Sequence, residues 1–268
     1  MRTIFITGTD TGVGKTLLTA LLLAHLRRRG VPALALKPFC SGGRADAELL
    51  HTLQGGALTL DEINPFYFSE PLAPLVAARK HRRVIPLSAV LDHLHSVALR
   101  HLPLATRVCA GSKPRTKSLR LKTPHLLIEG IGGLLVPLGE DYTVLDLITQ
   151  LHCETIIVAR NQLGAINHTL LTVRALQTAC AFRLCPATRP SRLPPAGPLK
   201  VVLMHHQAGH PDPSAASNIR ILSKLLAPLP VIAVPFLGSP PHIPVAIGAH
   251  AARLRRILAS PGAFPARR

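Results

Sequence analysis

A glycine-bearing loop between a short apolar strand and a long apolar run constrains this chain more than any other feature. The stretch is ITGTDTGVGKT, Ile6 to Thr16. Counted from Gly8, it has one residue too many for the phosphate-loop spacing G-x-x-x-x-G-K-[ST]. Counted back from Gly14-Lys15-Thr16, it has the standard length, with Thr9 where the first glycine usually stands. Residues 3–7 before it read as a buried strand. Residues 15–29 after it read as a helix, with Gly30 placed as its C-cap. Strand, loop and helix N-terminus together make an anion site, because backbone N–H groups converge on a phosphate and the helix dipole favours negative charge. The backbone of Gly12, Val13 and Gly14 would cradle that phosphate. Lys15 would reach the β and γ phosphates of a nucleotide, and Thr16 would offer its hydroxyl to Mg2+.

The rest of the chain alternates in the same manner. Residues 32–36, 125–130, 155–159, 200–204 and 231–234 read as further strands. Residues 46–53, 86–102, 165–179 and 249–258 read as helices. Such alternation implies an α/β fold, with a doubly wound, mostly parallel sheet flanked by helices, like that of a P-loop NTPase. Ligands then bind beyond the carboxyl ends of the strands. Three candidate positions satisfy that rule without reference to any motif, since the 8–16 loop, Lys37 and Glu129 each follow or end a strand. Glu129 precedes the glycines of GIGG (Gly130–Gly133), which allow backbone to approach a ligand, and suits a Mg2+ contact in a nucleotide site. Lys37 precedes PFCSGG and suits an anion. Asp46 opens a helix, where a carboxylate complements the dipole.

Length and composition set the outer bounds. The chain has 268 residues, 47% of them apolar, enough for a core within a single domain spanning 1–268. Segments 106–122 and 183–198 carry basic residues and prolines without periodicity, and are expected to be exposed insertions. Lys and Arg total 31 against 13 acidic residues, a formal charge of +18 that favours anionic partners. With no tryptophan and two tyrosines, a base-stacking surface is poorly supplied, so nucleic acid is not the expected partner. No apolar run approaches the roughly 18–20 residues of a membrane helix. A glycine-rich loop stands where a secretory signal would need its apolar segment. The five cysteines are irregularly spaced, which argues against a zinc or disulfide framework and for reduced thiols in the cytoplasm.

Six blocks in order resemble the dethiobiotin synthetase family: TGTDTGVGKT (7–16), KPFCSG (37–42), NPFYFSEPLAPLVAA (64–78), EGIGGLLVPL (129–138), DYTVLDLI (141–148) and LGAINHTLLT (163–172). The likeness runs from residue 1 to about 179 and more weakly to 237. It implies an ATP-dependent, Mg2+-dependent ring closure of 7,8-diaminopelargonate with CO2, in a cytoplasmic homodimer. It further implies that Lys15 and Lys37 hold phosphate and carbamate oxygens, and that Thr16, Asp46 and Glu129 are Mg2+ partners. Thr11 would be an active-site hydroxyl and Ser41 a substrate contact. Gly132 and Gly133 would lie against the substrate. Ala165, Ile166 and Asn167 would open a helix that takes the substrate carboxylate across the dimer interface. Pro235 and Phe236, in VPFLG, correspond to a later nucleotide-side segment. The chain departs from the family where an asparagine recognises adenine, since Met204 and His205 stand there. The rival reading is a ParA/MinD-like switch ATPase acting on DNA or membrane. Such proteins carry a lysine early in the loop, where this chain has Asp10.

Overall fold

The computed structural model describes residues 1–102, 122–183, 197–206, 212–238 and 243–259. The expected insertions at 106–122 and 183–198 fall outside this set, apart from Lys122, Arg183, Gly197 and Pro198. The chain runs β1 (Arg2–Gly8), α1 (Lys15–Arg28), β2 (Ala33–Leu36), β3 (Phe39–Ser41), α2 (Ala45–Gln54), α3 (Leu60–Ile63), β4 (Phe66–Phe68), α4 (Pro74–Lys80) and α5 (Leu87–His101). It continues with β5 (His125–Glu129), α6 (Val144–Leu151), β6 (Glu154–Arg160), α7 (Ala165–Arg183), β7 (Leu199–Met204), α8 (Ala215–Leu225), β8 (Val231–Val234), α9 (Ile243–Ala249) and α10 (Ala251–Leu258).

Six strands form one parallel sheet in the order β2-β5-β1-β6-β7-β8. The chain steps from β1 outward to β2, returns through β5 to pair with β1, then crosses β1 to continue through β6. The strand order therefore reverses around β1, and that reversal opens the crevice in which such sheets bind ligands. Strand burial explains the continuous apolar sequences: β2 and β5 are buried at every residue, as strands covered on both faces must be. Helix α1 lies under this sheet with Leu18 through Leu23 all buried, so its run is apolar around the whole circumference rather than along one stripe.

A second sheet, β3 paired in parallel with β4, has three residues per strand and was not legible in the sequence. Pairs this short cannot show an alternation. Helices α3, α4, α6 and α8 likewise had no counterpart among the sequence assignments. The basic helix expected over 249–258 is broken at His250, which separates α9 from α10.

Candidate active site

The loop from β1 enters α1 through Gly14, whose φ of 98° is the left-handed region that glycine reaches without strain. A Cβ added there would also meet the Met204 side chain at 3.2 Å. Gly8 is held as tightly, since an added Cβ would fall 2.8 Å from Val13 Cγ2. The loop is thus wrapped closely around its own buried residues. No side chain caps the N-terminus of α1, so its first amide groups remain available to an anion.

Lys15, the first residue of α1, is buried. Its ammonium donates to the carbonyl of Asp10 at 2.8 Å and to that of Gly132 at 2.9 Å. An ammonium has three N–H donors, so one remains for a phosphate oxygen. Burial, and after it the nearby Lys37 ammonium, lower the pKa of Lys15 to about 8. Gly132 accepts this bond from a backbone with φ of 57°, and an added Cβ would lie 2.6 Å from Val136 Cγ2. Thr11 is exposed on the loop opposite, with its methyl 3.8 Å from the same added Cβ position. Gly133 faces the Thr9 carbonyl.

Glu129 ends β5 with its side chain buried. Its Oε1 accepts two bonds of 2.6 Å, one from the Thr16 hydroxyl and one from the Lys37 ammonium. Lys37, buried at the end of β2, also pairs with Asp46 Oδ2 at 3.1 Å. Burial opposes its charge, but Glu129 and then Asp46 outweigh burial and hold its pKa above the ordinary lysine value. Thr16, Lys37, Asp46 and Glu129 therefore form one cluster, although they come from α1, the end of β2, α2 and β5. Lys15 lies beside it.

The residues expected to hold Mg2+ fit that role on one observation in particular. Glu129 Oε2 is buried and has no hydrogen-bond partner among the described residues, which is costly unless a cation or donor meets it. No group of three His, Cys, Asp or Glu that could cage a metal exists among the described residues. A hydroxyl and two carboxylates nevertheless suit Mg2+, which keeps several waters and binds through one or two carboxylates plus substrate phosphates. Lys37 bridges the two carboxylates, so Asp46 and Glu129 can hold one ion together only if Lys37 gives up that bridge.

The remaining expected residues are spread along the same edge. Ser41 sits at the end of β3, with a buried hydroxyl oxygen that has no partner. Ala165, Ile166 and Asn167 open α7 beside the loop, because β6 pairs with β1. Ala165 is buried and Asn167 exposed. Pro235 and Phe236 follow β8, three strands away from β1, and are half-buried. The structure does not bring them into the lysine–carboxylate cluster.

Met204 does not face a base pocket. It is buried beneath Gly14, as the packing against that glycine requires. His205 accepts from Asn161 Nδ2 at 3.0 Å, and burial, followed by Arg253, lowers its pKa. Asn161 also bonds the Ala215 carbonyl and accepts from Asn218, so its amide is fully engaged. His206 Nε2 instead reaches the loop, 3.3 Å from the Val13 carbonyl. The sequence reading also passed over Asn64. It is fully buried, and its Nδ2 donates to the carbonyls of Lys37 and Pro38 at 3.0 and 3.2 Å, fixing the backbone from which Lys37 projects. Its sequence signals were its place before Pro65 and its opening of the NPFYFSEPLAPLVAA block.

The chain is similar to known proteins in both sequence and fold. The sequence model of a family described as "AAA domain" matches residues 2–185. An ATP-dependent dethiobiotin synthetase of Anaeromyxobacter sp. (strain Fw109-5) is 41% identical over 181 residues, covering 66% of this chain and 71% of that protein. One of Bacillus subtilis (strain 168) is 32% identical over 248 residues, covering 91% and 88%. The MinC:MinD cell division complex of Aquifex aeolicus superposes with a TM-score of 0.50 at 13% identity, covering 100% of this chain and 99% of that one. At that identity the likeness speaks to the fold alone, and the sequence relatives do not favour the switch-ATPase reading.

Proposed function

The chain belongs to the dethiobiotin synthetase family, and we propose from that premise how its residues divide the work. The enzyme is an ATP-dependent ligase of biotin synthesis, joining 7,8-diaminopelargonate and CO2 to give dethiobiotin, ADP and phosphate. One amine of the diamine adds to CO2 and loses a proton, giving a carbamate. A carbamate oxygen takes the γ-phosphoryl group as the bond to the β-phosphate breaks. The second amine attacks the carbonyl carbon of this mixed anhydride. Phosphate leaves, and the cyclic urea closes.

None of these steps needs a protein nucleophile. They need position and charge, which is what the cluster supplies. The single observation that carries the reading is the joining of Lys15, Thr16, Lys37, Asp46 and Glu129 on one sheet edge. Lys15 donates to the transferring phosphoryl oxygens with its third N–H, while its other two fix the loop to Gly132. The bridging Lys37 ammonium is the group that reaches the carbamate. Mg2+, held through Thr16, Asp46 and Glu129, would neutralise the phosphate charge that develops during transfer. Gly12, Val13 and Gly14 present backbone to the phosphates, and Pro235 and Phe236 lie on the nucleotide side. Thr11, Ser41, Gly132 and Gly133 line the diamine. The opening of α7 at Ala165–Asn167 takes its carboxylate, in a homodimer whose partner completes the pocket. We read residues 1–268 as one working domain in a cytoplasmic enzyme. Among the described residues, no helix is long and apolar enough to cross a membrane.

The test is product formation. With ATP, Mg2+, diamine and 13C-bicarbonate, mass spectrometry should show a cyclic urea carrying one labelled carbon, matched by one phosphate per ring. ATP hydrolysis without labelled product would overturn the reading.

A further inference from the structure

A second basic site lies at the opposite end of the sheet. Five basic groups from four parts of the chain converge on a cavity of about 450 Å3: His25 and Arg29 of α1 and its end, Lys122 before β5, His125 at the start of β5, and Arg255 of α10. That volume is in the range of small-molecule sites. Its floor is apolar, made by Leu26, Val31 and Leu258. The cavity is remote from the lysine–carboxylate cluster. His125 and Glu129 are separated by the length of β5, roughly 13 Å at the usual strand rise.

Three observations point to a ligand. No acidic residue lines the cavity, and Arg29, Lys122 and Arg255 make no salt bridge among the described residues. Like charges gathered without a counter-charge repel, and an anion relieves them. His25 is 4% exposed, and its Nε2 is buried with no hydrogen-bond partner among the described residues. The cluster is more than a complement to the C-terminus of α1. Lys122 does cap that end by donating to the Arg29 carbonyl, and other last-turn cations suit the dipole. Arg255 and His125 come from other elements, however, and satisfy no carbonyl of α1 in this structure. His125 Nδ1 bonds the Thr123 carbonyl at 2.8 Å, and its Nε2 has no hydrogen-bond partner among the described residues. Burial, followed by Arg29, Arg255 and Arg28, lowers the pKa of His25.

We infer that this cavity binds a small anion with an apolar body, its carboxylate or phosphate head meeting Arg29, Arg255 and His25 and its body lying on Leu26, Val31 and Leu258. Octanoate and octyl phosphate are suitable probes, with octanamide as the neutral control. The readout is the ring signals of His25 and His125 in histidine-labelled full-length protein, followed by NMR and assigned by single substitutions. Saturable shifts with octanoate or octyl phosphate, and none with octanamide, are expected. The tighter of the two anions assigns the head group. In the double variant Arg29→Ala/Arg255→Ala, affinity should fall about tenfold or more, as loss of charge-assisted bonds requires. The same variant should keep wild-type ring-closing activity, because both arginines are exposed and distant from the catalytic edge. Lys15→Ala should leave the probe affinity unchanged, which separates this site from the nucleotide loop. Failure of both anions to shift these rings at millimolar concentration would overturn the inference. So would shifts that persist undiminished in the double variant.

Discussion

Removing the charge of Glu129 tests the architecture of the lysine–carboxylate cluster most sharply. Glu129→Gln keeps the shape of a fully buried side chain and removes the charge that faces Lys37. The two groups lie 2.6 Å apart. At an effective dielectric of about 20, unit charges at that distance attract by roughly 6 kcal/mol, before the desolvation of both is subtracted. Breaking one side of a buried pair costs about 3–5 kcal/mol, because the other charge stays buried without compensation. Asp46 remains 3.1 Å from Lys37 and retains part of that compensation. The expected loss is therefore at the low end, about 3 kcal/mol. Lys37→Met in the same background removes the stranded cation, so the double variant should be more stable than the sum of the singles by about 2 kcal/mol. The chain has no tryptophan, so urea unfolding is best followed by far-ultraviolet circular dichroism. A Glu129→Gln cost below about 1 kcal/mol, or additivity within about 0.5 kcal/mol, would refute the pairing.

Other expectations follow from the same contacts. Gly132→Ala forces a side chain into a left-handed backbone and against Val136, costing about 1–2 kcal/mol from conformation alone. Because the Gly132 carbonyl anchors Lys15, the KM for ATP should rise as well, read by steady-state kinetics. Asn64→Leu strips the Lys37 and Pro38 carbonyls of their donor, at about 1–3 kcal/mol, and should lower kcat by misplacing Lys37. ATP affinity should weaken with pH. On the proposed role of Lys15 its charged form binds phosphate, and its pKa is about 8, so affinity is full well below pH 8 and falls as pH rises through that value. Titration calorimetry at pH 7 and 9 should differ by about tenfold, whereas Lys15→Arg, whose charge does not titrate, should give no such difference.

Much of the lysine–carboxylate cluster could be read in the sequence because its positions are encoded locally. Gly14-Lys15-Thr16 joins a strand to a helix, and Lys37 and Glu129 sit at strand ends, where the parallel fold places them together. What could not be read was the sharing of one oxygen. Thr16, Lys37 and Glu129 meet at Oε1 across sequence separations of 113 and 92 residues, and no spacing rule reports that. Met204 illustrates a different limit. The family likeness sets Met204 where an asparagine recognises adenine, yet its apolar side chain is buried beneath Gly14. Strands β3 and β4 were hidden by their brevity. The basic cavity was hidden because His25, Lys122 and Arg255 are distributed along the chain and converge only when α1 and α10 pack at the amino end of the sheet.

The central claim is that the lysine–carboxylate edge couples ATP cleavage to ring closure of a diamine. The direct measurement is phosphate release with ATP, CTP and GTP, each with and without 7,8-diaminopelargonate and bicarbonate. Release that requires both the diamine and bicarbonate, and is lost in Lys37→Ala while the fold persists, is the expected result. Nucleotide hydrolysis that proceeds equally without diamine would contradict the account.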